Sequence, residues 1–256
     1  MMAWSTTWKN NVLSTVLSRL NSATNGFEVI AEAPTGAAIT TIDAATASAA
    51  LKTLLAAAVT NAYAVEIPEG KTPTDAVYRL VSARPVEVDD VRVITAVTFV
   101  VTVRATTYAN LMTAIGNIET QVTASSDAIS ITDAALDFDD NKNYFLAGIE
   151  VVYAVPAVAG GSNWPALLVD VQGFEAGGEL YDNFVKQRVQ RGYGFMLVST
   201  TNNIATLRTD LQGALLGWQQ AATDNPFNYQ AGAPVKLPGG LYAWRDIYFD
   251  SGYISE

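Results

Sequence analysis

The residues best suited to chemistry lie in Asp137-Phe-Asp139-Asp-Asn141-Lys-Asn143. Side-chain oxygens at its alternate positions match the opening of a calcium-binding loop. Such a loop needs Gly at its sixth position and a bidentate Glu at its twelfth, where this chain has Lys142 and Gly148. A solvated hairpin turn is the simpler reading. The neighbouring acids, Asp127, Asp133, Asp137, Asp139 and Asp140, run without a Lys or Arg from Ser125 to Asp140. A metal cluster or a carboxylate pair for acid–base catalysis could use such a run, but no spacing marks an acid–base pair. A divalent-metal hydrolase using the Asp137–Asn143 loop is the least favoured reading. Charge that blunts an exposed strand edge explains it better.

Other motifs carry less. Gly192-Tyr-Gly194 precedes a strand pattern rather than a helix, so it cannot cradle a dinucleotide phosphate. The chain has no phosphate-binding Gly-x-x-x-x-Gly-Lys and no Gly-x-Ser-x-Gly elbow. It also has no Cys and no His. That removes disulfides, thiolate nucleophiles, zinc–thiolate sites and the usual neutral-pH general base. We expect no enzymatic activity, no cofactor and no metal. Trp218, Phe227, Tyr229, Tyr242, Trp244, Tyr248 and Phe249 crowd the last forty residues. Core packing is the first explanation for them, a protein interface the second, and a sugar-stacking platform the third.

These residues need elements to position them. Ser5 to Asn21 reads as a helix with Ser5 as its cap and Trp8, Val12, Leu13, Val16, Leu17 and Leu20 at helical spacing. Phe27–Ala33 alternates like a strand. An Ala-rich helix runs from Asp43, its expected N-cap, to about Ala62. Ala76–Arg84 is a strand, Pro85–Asp90 a turn, and Val91–Ala105 a long strand with one buried face. Thr106 or Thr107 caps a helix with Leu111, Ile115 and Ile118 on one side. Ala128–Phe138 and Tyr144–Val155 form a hairpin around Asp139–Asn143. After Pro165, Leu167–Gly173 is a strand, Glu179–Gln190 fits helix or strand, and Tyr193–Ser199 is a strand. A helix capped by Asn202 or Asn203 carries Ile204, Leu207, Leu211 and Leu215 and stops at Gly217. A hairpin around Pro238-Gly239-Gly240 leads into a closing strand, Leu241–Ile254.

The order is that of an α+β protein, two tandem α/β sandwich domains with mostly antiparallel sheets packed by helices. Pro156 to Pro165 encloses Gly-Gly-Ser and reads as a linker. The expected domains are 1–156 and 166–256, joined by 157–165. The halves look alike: Val101–Val103 and its following helix match Met196–Val198 and its helix, with spacings of 95 in the strand and 96 in the helix. Two β–α–β–β units also coincide by chance, so duplication stays open.

The chain has 256 residues, half of them hydrophobic and 16% charged. That excludes global disorder. Its net charge is −10, which argues against a general phosphate-backbone binder. No uninterrupted apolar run of about 20 residues is present, and the start has no signal-peptide pattern. A soluble, intracellular protein without membrane contact is the expectation.

The last third resembles the tail terminator and tail-completion proteins of tailed bacteriophages. The resemblance rests on Leu207-Arg-Thr-Asp-Leu-Gln-Gly-Ala-Leu-Leu-Gly-Trp218, Asn225-Pro-Phe227, Gly232, the turn at Pro238-Gly239-Gly240, and Leu241-Tyr-Ala-Trp-Arg-Asp-Ile-Tyr-Phe249. Ala76–Val155 is similar to other members through its Val-rich strand, Thr107-Tyr-x-x-Leu111 and acidic hairpin. Members are commonly one such domain long, and many have a proline where Gln219-Gln220 stands. The resemblance implies a structural virion protein of the neck or tail, assembled in the host cytoplasm. It implies a homo-oligomeric ring, typically hexameric, on the head-proximal end of the tail tube. Its partners would be itself, the tube, the sheath and the head-completion or connector protein, with DNA passing through the lumen unbound. The alternative is a carbohydrate- or receptor-binding β-rich module. As interface residues we nominate Arg92 and Arg104 on the polar face of the long strand, Asp139 and Asp140 at the acidic turn, and Trp218, Tyr242, Trp244 and Tyr248.

Overall fold

The computed structural model describes residues 6–33, 41–66, 68, 71, 73–89, 91–125, 127–140, 143–156, 164–177 and 187–254. In chain order the elements are α1 (Thr6–Ala23), β1 (Val29–Glu32), α2 (Thr41–Ala58), β2 (Asn61–Ala64), β3 (Asp75–Val88), β4 (Val91–Ala105), α3 (Tyr108–Ala124), β5 (Ile129–Asp139), β6 (Tyr144–Pro156), β7 (Ala166–Gly177), β8 (Gln187–Ser199), α4 (Ile204–Leu215), β9 (Asn225–Lys236) and β10 (Tyr242–Ile254). The chain is α+β with two five-stranded sheets.

One compact unit comprises Thr35–Ser162 with Leu237–Gly240. Its sheet order is β2-β3-β4-β6-β5. The β2–β3 pair is parallel and the other three pairs are antiparallel. Val97, Phe99, Val101 and Val103 of β4 alternate onto one face, as the period of two requires, and meet Ile149 and Val151 of β6. Leu51 and Leu55 of α2 and Leu111, Ile115 and Ile118 of α3 cover that face. Thr107 caps α3, its side chain accepting the Asn110 N–H at 3.1 Å.

The other unit comprises Met1–Pro34, Asn163–Lys236 and Leu241–Glu256. Its order is β1-β7-β8-β10-β9. Again the four-residue strand pairs parallel to its neighbour and the rest are antiparallel. Leu13, Val16 and Leu20 of α1 and Leu207, Leu211 and Leu215 of α4 cover Leu167, Val169, Tyr193, Phe195, Phe227 and Tyr248.

Each unit therefore reads helix, short strand, two long strands, helix, hairpin, with the same sheet order. The helices α3 and α4 begin ninety-six residues apart, and so do β5 and β9. The division differs from the sequence expectation of 1–156 and 166–256. Residues Met1–Pro34 belong with the C-terminal stretch because β1 pairs with β7, Val29 opposite Ala166, and because α1 shares a core with α4. One unit is thus inserted into the other between β1 and β7. The sequence reading also missed β2 and ended β3 early at Arg84. Pro85 lies inside β3, opposite Thr95, where only one neighbour demands hydrogen bonds. Ser5 and most of the 157–165 linker lie outside the described residues, and Asp43 falls within α2 rather than before it.

Candidate functional site

The charged side chains of the C-terminal stretch gather into three clusters, each built by strand register. In the first, α4 turns Arg208 toward β10. Its Nε donates to Asp246 Oδ2 and its terminal nitrogen to Asp246 Oδ1, both at 3.0 Å. Trp244 Nε1 donates to the same Oδ1 at 2.8 Å, and the guanidinium lies 4.2 Å over the Trp244 ring. The hydrogen bonds to Asp246 raise the Arg208 pKa against the opposing effect of burial. Gly232 on β9 leaves the space: a Cβ there would collide with Asp246 Oδ1 and crowd the Tyr229 hydroxyl.

The second cluster puts two carboxylates on one guanidinium. Arg191 donates to Asp250 through Nε and a terminal nitrogen, each at 2.6 Å, and to Asp224 at 2.8 Å. All three side chains are buried. Gln220 donates to the Tyr193 hydroxyl at 2.6 Å and to Asp250 at 3.1 Å, and Gln219 donates to the Asp224 carbonyl. These two glutamines, which depart from the phage-family pattern, are the polar support of the cluster. Burial pushes the Asp250 carboxyl up to about 6, with Arg191 opposing and the charge of Asp224 adding to the rise. Burial likewise raises the Tyr193 hydroxyl.

The third cluster spans a strand. Asp170 on β7 and Arg245 on β10 meet at 3.1 Å across β8, and Gly194 between them carries no side chain to obstruct the bridge. In the other unit, Arg104 and Asp75 stand directly opposite each other and form a two-point pair at 2.6 and 2.8 Å. The hydrogen bond to Asp75 raises the Arg104 pKa. All of these arrangements fix strands and helices in place. Among the described residues, no three acidic side chains converge as a metal site would require.

The nominated residues separate accordingly. Arg92 is buried on β4, its guanidinium bonded to Thr95 Oγ1, so it offers no outer surface. Arg104 is engaged with Asp75. Tyr248 is fully buried, in ring contact with Phe195 at 5.3 Å and Tyr229 at 5.4 Å. Trp218 packs on Phe227 at 5.4 Å and under Arg19. For Tyr248 the interface nomination is corrected, because register points it into the core of its unit. Arg92 lies on the β4 face away from α2 and α3 but is itself buried, and Trp218, in the turn after α4, is half-buried. Trp244 is half-buried beneath Arg208. Tyr242 stays exposed, Asp139 ends β5, and Asp140 lies exposed in the turn. Of the calcium-like stretch, Asn141 and Lys142 lie outside the described residues, and the Asp137 carboxylate accepts the Phe138 N–H at 2.8 Å.

The structure adds residues that the sequence reading passed over. Tyr108 and Met112 on α3, and Leu136 and Phe138 on β5, are large apolar side chains left exposed. Phe145 joins them, 4.8 Å from Phe138 and 6.0 Å from Tyr108 between ring centroids. The signal was present: Leu136 and Phe138 alternate with Asp133, Asp137 and Asp139, so one face of an outer strand is apolar and the other charged. Compared with known proteins, the chain matches no family model, no curated protein and no solved structure.

Proposed function

We propose that this chain is a structural protein of a bacteriophage neck or tail. It forms a ring that caps the tail tube and joins it to the head-completion proteins. The observation that carries the reading is the use made of its polar residues. The arginines and carboxylates of the C-terminal stretch are spent on holding strands together, while the outer strands β5 and β9 face solvent over most of their length. Such a molecule works through its outline. The helix and strand that carry the phage resemblance, Leu207–Trp218 and Leu241–Phe249, are joined by the Arg208–Asp246 pair, which gives that pattern a physical reason.

In this reading the two units are two sandwich domains of one kind, one inserted into the other. Heterologous contacts between copies close into a ring. With two like units per chain, a ring of six units takes three chains, whereas a ring of six chains holds twelve units. The sheath and connector proteins are the further partners, and the net charge of −10 suits a lumen through which DNA slides unbound. The sugar-binding alternative would have to rest on the exposed Tyr229 and Tyr242, since Phe227 and Tyr248 are buried and Trp244 is stacked under Arg208.

Light scattering on the purified chain, alone and with polymerising tail-tube protein, tests the proposal. The expected result is a closed oligomer of three or six chains that halts tube growth and sits at one tube end. A chain that remains monomeric and leaves tube length unchanged would refute it.

A further inference from the structure

We propose that the inserted unit carries two complementary surfaces on opposite edges of its sheet, by which one copy docks head to tail on the next. One edge is β5. Its apolar face presents Leu136 and Phe138 beside Tyr108, Met112 and Phe145, and its opposite face presents Asp133 and Asp137. The other edge is the stretch of β3 beyond Tyr78, where the short β2 no longer covers it. There Arg79 and Arg84 are exposed, as are Leu80 and Val81. No acid occurs between Arg79 and Val86; Glu66 and Glu87 mark the ends of the surface.

Register makes the two edges match. Across the sheet, Arg79 pairs with Val100, Val100 with Glu150, and Glu150 with Asp133, so Arg79 and Asp133 lie on one face. With Val81 bulged out of the β3 ladder, Arg79 and Arg84 stand four positions apart, as Asp133 and Asp137 do. An antiparallel neighbour shifted by four residues sets Asp137 against Arg79, Leu136 against Leu80 and Asp133 against Arg84. Leu80 lies opposite the core residue Phe99, and Leu136 opposite the core residue Ala147, so both point to the helix-covered side. Both edges thus carry charge on one side and apolar residues on the other, with opposite charge signs. The strands β3, β4, β6 and β5 alternate in direction, so β5 of one copy meets β3 of the next antiparallel. Two β5 edges would instead oppose carboxylate to carboxylate.

Both edges also carry features that disfavour indiscriminate pairing. The Asp133 carboxylate accepts the N–H of Ala134, and that of Asp137 accepts the N–H of Phe138, each at 2.8 Å, which closes the edge of β5 to strand addition. A neighbour's Arg79 and Arg84 draw these carboxylates away and free the two N–H groups. Beside β3, Val65 follows the last residue of β2 and donates its N–H to the Tyr78 carbonyl at 3.0 Å. It holds φ 70° with 64% of its surface exposed, a costly conformation for a β-branched residue that keeps its side chain outward. The apolar surface is particular to this unit. Ninety-six residues on from Met112 and Leu136 stand Arg208 and Gly232, which belong to the ion-pair cluster.

The inference deepens the ring reading and rests on it only for closure of the contacts into a ring. The test uses the full chain with Leu136→Asp and, separately, Leu80→Asp, at positions 53% and 52% exposed, so neither disturbs the core. Thermal melting checks that both remain folded. Sedimentation is expected to show each variant as a monomer where the unaltered chain is an oligomer. Mixed, the two variants should give a one-to-one dimer and nothing larger, because each keeps the surface that the other lacks. If both variants keep the unaltered mass, or the mixture stays monomeric, the inference falls while a ring made through other surfaces stands. A monomeric unaltered chain that also ignores the tube removes both.

Discussion

Arg208 on α4 and Asp246 on β10 face each other with two parallel hydrogen bonds of 3.0 Å, and Asp246 is fully buried. The Arg side chain keeps about a quarter of its surface exposed, so solvent screens part of the pair. Removing the guanidinium leaves a buried carboxylate that, among the described residues, keeps the Trp244 Nε1 donor. Arg208→Ala should therefore cost about 2–3 kcal/mol, somewhat less than breaking a fully buried pair costs. Denaturant melts of Arg208→Ala, Asp246→Asn and the double variant would show the two changes to be strongly non-additive. Additive losses would mean that the two residues act independently.

Much of this arrangement was legible in the residues and some was not. Period-two alternation located β4 with its ends correct, and helical spacing located α3 and α4, because each buries a single face. The four-residue strands β1 and β2 gave weaker signals: β1 was placed within a longer run, and β2 was missed, since four residues cannot establish a period. The division into units was out of reach. It depends on Val29–Glu32 pairing with Ala166–Val169 across an insertion of more than a hundred residues, and no local pattern records such a partner. The ion pairs were hidden for the same reason, since Arg191, Asp224 and Asp250 are distant in sequence. The acid run does lie on an outer strand, but the hydrogen bonds by which Ala134 and Phe138 donate to its carboxylates needed coordinates.

Gly194 is a test of the bridge across β8. A Cβ added there would collide with the Asp170 carboxylate and stand 2.9 Å from an Arg245 nitrogen. Both partners are buried, so neither can swing into solvent. Gly194→Ala should destabilise the chain by about 1–3 kcal/mol, as overpacking does. Gly213→Ala, on α4 with nothing within 4 Å of the new carbon, should instead be neutral or stabilising. Comparable losses from both substitutions in thermal melts would show that the space above Gly194 does not matter.

The Asp250 cluster predicts a dependence on pH with a definite sign. The folded carboxyl titrates at about 6 against an ordinary 3.8, so between these values the folded chain holds a proton that the unfolded chain has released. The contribution of this residue to stability is therefore present at low pH and is lost as pH rises through about 6. Asp250→Asn mimics the protonated form. Relative to the unaltered chain, the variant should gain on the order of 2 kcal/mol between pH 4 and pH 7. Denaturant melts at both pH values measure the difference, and a gap that stays constant with pH would contradict the assignment.

Val65 connects stability to assembly. At φ 70° a β-branched side chain crowds its own backbone, and a glycine in its place relieves that strain. The side chain is largely in solvent, so almost no packing is lost with it. Val65→Gly should therefore stabilise the monomeric chain by about 1 kcal/mol. The same substitution removes an apolar group from the β3 docking surface and frees the backbone whose carbonyl accepts from Arg79 Nε at 2.8 Å. Sedimentation should show weaker self-association in a variant that melts at a higher temperature. A variant that melts higher and assembles as well as the unaltered chain would mean that the strained valine serves something other than docking.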